Sequence, residues 1–379
     1  KELPWEAIPT SERPLYKAAE DKQWQEHIHY GALSPETVER SREILASEKE
    51  RVLGSRFAYR DKNHARRRGD ASIPCKPKAR LVCAGHVDPD LRTGELRTDA
   101  PTVSRLGVLT LLQVAASRHK DGWTLAAGDI EAAFLNGGKL ERRLWLRQPR
   151  GGLGGLHPEQ LLRVDKGVFG LADSPRHWWG KLKSGLLDVV LDLEGGRKAK
   201  LEQNPFDPCL FHLRVVDTDE PPIGFLSTHV DDILTTADKD VNENLQAAIS
   251  EAFPVDGWQV NDFDYLGSHI RLDEDGAHIS QTCYAENRLF QVEIKKGQVD
   301  SDLADDEQRA DNRSLVGALS WLAGQTRPDI QSGVSMAQQL QAAPTVGDVR
   351  HTNHLARTAS IHRGQGIHLR PIDLHNSEL

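Results

Sequence analysis

Two aspartates stand side by side inside an apolar run, Ile223-Gly224-Phe225-Leu226-Ser227-Thr228-His229-Val230-Asp231-Asp232-Ile233-Leu234. The apolar flanks read as strands, bounded by Pro221-Pro222 before and Ala237-Asp238 after. Aspartate is poor in strands and good in turns, so the run predicts a β-hairpin with Asp231 and Asp232 at its bend. Adjacent carboxylates repel each other, and ionising both calls for a compensating cation. Hard oxygen donors suit Mg²⁺. Taken alone, such a pair is more often a solvated turn. A chemical role requires a partner elsewhere in the chain.

Upstream, Trp123-Thr124-Leu125-Ala126-Ala127-Gly128 is a short apolar run that ends at Asp129. The three carboxylates meet if the hairpin lies beside that strand. Other patterns frame them. Ser104 to Ala116 predicts a helix with Leu106, Leu109, Leu112 and Val114 as its apolar stripe. Ser174-Pro175 predicts a helix to about Leu191, with Ser174 as cap, Pro175 in the first position and Trp178, Leu182, Leu186 and Val190 on one face. Helices are also expected over Ala18 to Trp24, over Pro35 to Glu50 behind a Ser34 cap, and over Asp240 to Phe253. Glu194 to Lys200 and the acidic stretch Asp300 to Asp311 read as linkers, and Gly151 to Gly155 as a flexible loop without a phosphate-cradle context.

Gly128-Asp129-Ile130-Glu131-Ala132-Ala133-Phe134-Leu135-Asn136-Gly137 resembles the first catalytic motif of copia-type LTR-retrotransposon reverse transcriptases. His229-Val230-Asp231-Asp232-Ile233-Leu234 resembles their Tyr-Val-Asp-Asp-Ile-Leu. Leu144 to Pro149 and Val168 to Trp178 fall between them in the family's order, and the likeness runs from about residue 75 to 360. It implies an α+β right-hand polymerase. Residues 1–50 would be a helical N-terminal segment, 51–122 the basic fingers, 123–270 a palm with an antiparallel sheet, and 271–379 a helical thumb or connection, with the ribonuclease H domain absent.

The implied activity is RNA-directed DNA polymerisation, with deoxynucleoside triphosphates and a primer on an RNA or DNA template as partners. Asp129, Asp231 and Asp232, with the Ile130 carbonyl, would hold two Mg²⁺ (or Mn²⁺) ions about 3.5–4 Å apart. The resemblance assigns Lys78 and Arg80 to the triphosphate and Phe134 to a stack beneath the deoxyribose that excludes a 2′-hydroxyl. It assigns Tyr265, Leu266 and Gly267 to the primer end, the region of Ser174 and Pro175 to template positioning, and His229 to the primer. The chain departs from the pattern at His229, where the family has Tyr, and at Ala172-Asp173, where it has Lys-Gln. An added anion near a triphosphate would weaken nucleotide binding. These departures leave a second reading open, a decayed or repurposed copy that binds nucleic acid without polymerising.

The 379 residues carry a net charge of -8 and 38% hydrophobic residues, a soluble globular balance. Charge is unevenly spread: residues 51–80 hold ten Lys and Arg against Asp61 and Asp70. Val52 to Tyr59 and Lys78 to Gly85 predict a hairpin there, whose cations suit phosphate binding by counterion release. Arg66, Arg67 and Arg68 in its loop are nucleic-acid candidates or a solvated face. Four scattered cysteines argue against a zinc site and for a reducing compartment. There is no transmembrane run and no signal peptide, and the start at Lys1 suggests a fragment. The family's setting would be cytoplasmic virus-like particles. Oligomeric state is not legible.

Overall fold

A seven-stranded antiparallel sheet carries all three aspartates. Its spatial order is Val255–Val260, Trp123–Ile130, Asp232–Asp238, Gly224–His229, Leu210–Val215, Lys198–Gln203, Val190–Asp192. The computed structural model describes residues 2–64, 67, 72–94 and 96–374. The central strands are apolar on both sides because both faces are covered. Helices Ser174–Asp188 and Lys239–Ala252 bury Trp178, Leu182, Leu186, Leu245 and Ile249 against Phe211, Leu213, Leu226 and Ile233. Helix Arg105–Arg118 covers the opposite face, with Leu111, Leu112 and Ala115 on Leu125, Ala127 and Leu234. Each such large side chain contributes about 1.5–3 kcal/mol on burial, so the strand ends bearing the carboxylates are rigidly held.

The basic hairpin forms as expected. Strands Ser55–Asp61 and Pro77–Cys83 pair antiparallel, with Arg60 opposite Lys78 and Ala58 opposite Arg80. Its apolar face, Phe57, Ala79 and Leu81, packs with Trp24 of helix Arg13–His29. A smaller sheet joins Leu33–Pro35, Leu162–Val164, Trp145–Leu146 and Val52–Leu53 beneath it.

A four-stranded sheet follows: Asp262–Tyr265, Ser268–Asp273, Gly276–Ser280 and Gly366–Leu369. The helices Thr282–Arg288, Asp306–Gln325, Gln331–Gln339 and Val346–Ile361 lie in sequence between its last two strands, which pair Ser280 with Gly366. The helical unit is therefore rooted at both ends in one sheet, and the boundary expected at 270 falls inside that sheet. Among the described residues no helix is long and apolar enough to cross a membrane.

Several local expectations change. Ser34 is not a cap: it lies in the strand Leu33–Pro35, its hydroxyl donates to the Asp165 carboxylate, and Thr37 caps helix Val38–Ser47 instead. The buried stripe of helix Arg105–Arg118 is Gly107, Leu111, Leu112, Ala115 and Ala116, while Leu106 is 75% exposed. Ser174 does not cap its helix, which ends at Asp188, and Val190 opens an edge strand. The supposed linker 194–200 enters strand Lys198–Gln203, whose Ala199 and Leu201 point inward. The acidic stretch becomes a helix start: Asp305 and Gln308 form a capping box for helix Asp306–Gln325.

Candidate active site

Asp232 opens its strand directly opposite Asp129, and it pairs with His229 across the hairpin. Asp231 lies in the turn, where its carbonyl accepts the Ile130 N–H at 2.8 Å. The turn is tight. Val230 adopts a left-handed φ of 61°, which costs a β-branched residue about 1–3 kcal/mol unless its surroundings hold it. The Trp178 indole supplies that hold by donating to the Val230 carbonyl at 2.7 Å.

The carboxylates sense one another. Burial, then Asp231 and Asp129, push the Asp232 carboxyl up to about 6. Burial, Asp231 and Asp256 raise Asp129, opposed by Lys78 and Lys62. Asp256, absent from the sequence reading, sits in a bulge between Val255 and Trp258 on the strand beside Asp129. Its Asp-Gly context reads only as a turn. Among the described residues no group of three or more His, Cys, Asp or Glu side chains is arranged to hold a metal ion. The donor chemistry nonetheless fits one: hard oxygen donors share a partly buried position where their mutual repulsion lacks a full counter-charge.

The basic hairpin faces this site. Lys78 is half-buried; burial and the charges of Arg80 and Lys62 lower it, while Asp129 and Glu26 hold it up. The Arg80 guanidinium carbon lies 5.1 Å from the centre of the Phe169 ring. Phe134 meets that ring edge-on, centroids 5.4 Å apart and planes at 71°. Phe134 stands in a helical turn, Ala133–Asn136, entered through left-handed Ala132, and is only partly buried. Phe169 was not singled out from sequence, although it lies within a motif block.

Other candidates are engaged elsewhere. The buried Ser174 hydroxyl donates to the Val168 carbonyl at 2.9 Å, so it shapes the turn from within. Pro175 starts the helix as expected. Tyr265 is 4% exposed, and its hydroxyl lies beside Ser227 of the strand that leads into the Asp231–Asp232 hairpin. It supports from beneath the turn that left-handed Leu266 and Gly267 present outward. His229 lines a cavity of about 370 Å³ with Leu266, Arg105 and Trp321. Arg67 is committed to Asp61, at 2.7 Å, and to Glu12, so it is not free for phosphate. Arg66 and Arg68 lie outside the described residues.

The expected anion beside the triphosphate is also committed. Asp173 is buried and accepts from Arg142 Nε at 3.1 Å and Nη2 at 2.9 Å, with His177 at 3.3 Å. His177 and Arg142 hold its carboxyl below the usual range despite burial. Arg142 also grips Asp88 at 2.7 Å and Asp90 at 3.1 Å, tying the segment after the basic hairpin to the helix start.

The sheet order, the paired aspartates and the facing basic hairpin define a right-hand polymerase palm with its fingers. Residues 44–299 match the reverse transcriptase (RNA-dependent DNA polymerase) family, and the chain belongs to it. The match begins earlier and ends sooner than the motifs suggested. Relatives are Pol polyproteins of copia-type transposons, as those motifs led one to expect. The Retrovirus-related Pol polyprotein from transposon RE1 of Arabidopsis thaliana is 26% identical over 333 residues, covering 84% of this chain and 21% of that protein. That from transposon RE2 of the same plant is 27% identical over 309 residues, covering 78% and 19%. The chain thus spans about a fifth of the length of these relatives. Among solved structures, a foamy viral protease-reverse transcriptase in complex with double-stranded DNA is similar at a TM-score of 0.47 and 14% identity, covering 79% of this chain and 44% of that one.

Proposed function

We propose that this chain extends a primer with deoxynucleotides on an RNA or DNA template. The observation that carries the reading is the register of Asp232 against Asp129, with Asp231 in the adjoining turn. The primer 3′-hydroxyl oxygen attacks the α-phosphorus, the bond to pyrophosphate breaks, and the hydroxyl proton leaves to solvent. Asp129, Asp231 and Asp232, with the Ile130 carbonyl, would hold two Mg²⁺ ions, whose charge would lower the hydroxyl pKa and neutralise the departing pyrophosphate. Lys78 and Arg80 bind the triphosphate from the fingers, as compact and planar cations respectively. Phe134 lies under the sugar and excludes a 2′-hydroxyl. Leu266 and Gly267 present backbone to the primer end, with His229 beside them. Base pairing supplies sequence. Residues 51–122 act as fingers, 123–270 as palm and the later helices as thumb. As a piece related to transposon Pol proteins, the chain would work in virus-like particles.

The test is Mg²⁺-dependent extension of a DNA primer on an RNA template, with Asp231→Asn alongside. Extension by the parent and its loss in the variant is the expected result. A folded parent that binds primer-template without extending it would instead make the chain a non-polymerising binder.

A further inference from the structure

We propose that Phe169 is a positioning residue for the incoming nucleotide, one ring that holds the Arg80 guanidinium on its face and the Phe134 ring at its edge. The inference rests on the polymerase reading and assigns a role to a residue outside the carboxylates and the cations. Three segments distant in sequence meet here: the basic hairpin through Arg80, the turn after strand Trp123–Ile130 through Phe134, and the 168–170 turn through Phe169.

The geometry makes the ring more than packing. Arg80 Nε is buried and has no hydrogen-bond partner among the described residues. A buried guanidinium nitrogen without an acceptor is costly, and the negative face of an aromatic ring 5.1 Å away offsets that cost. The backbone reinforces the placement, since Cys83 N–H donates to the Phe169 carbonyl at 2.8 Å. The strand carrying Lys78 and Arg80 is thereby fixed to the same residue whose ring orients Arg80. Phe169 itself is only partly buried, so its ring is not a core necessity. A leucine would fill most of the same space, yet it offers no π face for the cation and no edge-on ring partner for Phe134. Substitution therefore separates packing from positioning.

The decisive measurement needs no chemistry. A primer ended with a dideoxynucleotide, annealed to a template, retains the next deoxynucleoside triphosphate in a stalled complex. Phe169→Leu should weaken that retention about fivefold, the worth of an ordinary cation–π contact. In extension assays the same variant should discriminate several-fold less well against ribonucleotides, because Phe134 loses its edge partner. Phe169→Tyr keeps the ring and should restore both readouts. Combining Phe169→Leu with Arg80→Lys should cost no more than Arg80→Lys alone, since the two act through one contact.

Parent-like retention in Phe169→Leu, a loss confined to kcat, or additive effects in the double variant would overturn the inference. Failure of Phe169→Tyr to restore a folded Leu variant's losses would do the same. Retention judges Phe169 even if the parent cannot extend, whereas failed extension strikes the polymerase reading alone. A parent that neither retains nucleotide nor extends overturns both.

Discussion

Asp232 and Asp129 are register partners across two neighbouring strands of the seven-stranded sheet, and Asp129 adds to the burial and the Asp231 charge that raise the Asp232 carboxyl. This arrangement favours metal capture at the expense of metal-free stability. Asp232→Asn should therefore abolish extension while stabilising the metal-free protein. A rise to about 6 corresponds, after discounting for solvent screening, to about 1 kcal/mol. Thermal unfolding in a chelator should show a midpoint raised by about 1 °C. An unchanged or lower midpoint would mean that the carboxylates do not strain the fold.

The same repulsion sets a pH window for the metal. Because the folded pKa of Asp232 is raised, the folded state binds more protons than the unfolded chain between the ordinary carboxylate range and about 6. Asp232's contribution to metal-free stability thus grows more favourable as pH falls through that interval. Mg²⁺ requires the ionised form, so its binding weakens over the same interval. The gain in unfolding midpoint on adding Mg²⁺ should be clear at pH 8 and nearly absent at pH 5. An equal gain at both values would place the ion away from Asp232.

Asp173 departs from the family's glutamine, but Arg142 accounts for the change inside the fold. Asp173→Gln should leave nucleotide affinity near the parent value and destabilise the protein, because Arg142 loses its bidentate partner. Arg142→Met should cost about 3–5 kcal/mol by stranding Asp88 and Asp173 in the interior. The sign with pH is opposite to that of Asp232. Asp173 and Asp90 are held below the usual carboxylate range, so their contribution is complete above their unfolded pKa values. It is lost as pH falls through the lower folded ones. Denaturant titrations from pH 7 to 3 should show the parent losing stability in acid and Arg142→Met losing less.

The hairpin, the Asp129 strand and the basic fingers were legible because each depends on a short local pattern, and the paired carboxylates stand where a turn-former must stand. Side-chain partners were not legible. The aspartate at 173 reads from sequence as an added anion near the triphosphate, yet Arg142 from another segment pairs with it in the interior. Arg67 looked like a phosphate ligand until Glu12 and Asp61 closed on it. Ser174 had the right residue type and neighbour for a cap, but its hydroxyl found the Val168 carbonyl. The acidic run after residue 300 resembled a linker because capping and solvation use the same residues. Tertiary proximity decides each of these choices.

Tyr265 tests the distinction between support and contact. Its hydroxyl is buried with no hydrogen-bond partner among the described residues and lies close to Ser227. Removing an unsatisfied buried hydroxyl costs little, so Tyr265→Phe should change stability by less than about 1 kcal/mol and leave primer extension intact. Equilibrium denaturation and a primer-affinity titration would check both. A marked loss of primer affinity at unchanged stability would restore Tyr265 as a direct contact.

Gly170 packs its backbone against the end of the strand that carries Lys78 and Arg80. Its φ is 100°, and a side chain there would begin 2.2 Å from the Cys83 carbonyl oxygen. The Cys83 carbonyl oxygen and nitrogen, at 2.2 and 3.0 Å, are backbone, so they cannot move without shifting the strand that carries Lys78 and Arg80. Gly170→Ala should thus cost several kcal/mol, combining left-handed strain with displacement of the hairpin. The functional signature should be a raised KM for the deoxynucleotide in whatever fraction folds, because a displaced basic hairpin misplaces both cations while Asp129, Asp232 and the turn holding Asp231 stay in place. Asp129 and Asp232 are held by register with each other and not by Gly170, so the kcat of the folded fraction should fall less than KM rises. Steady-state kinetics normalised to active-site concentration separate the two. A fall in kcat with KM unchanged would mean that the fingers do not depend on this contact.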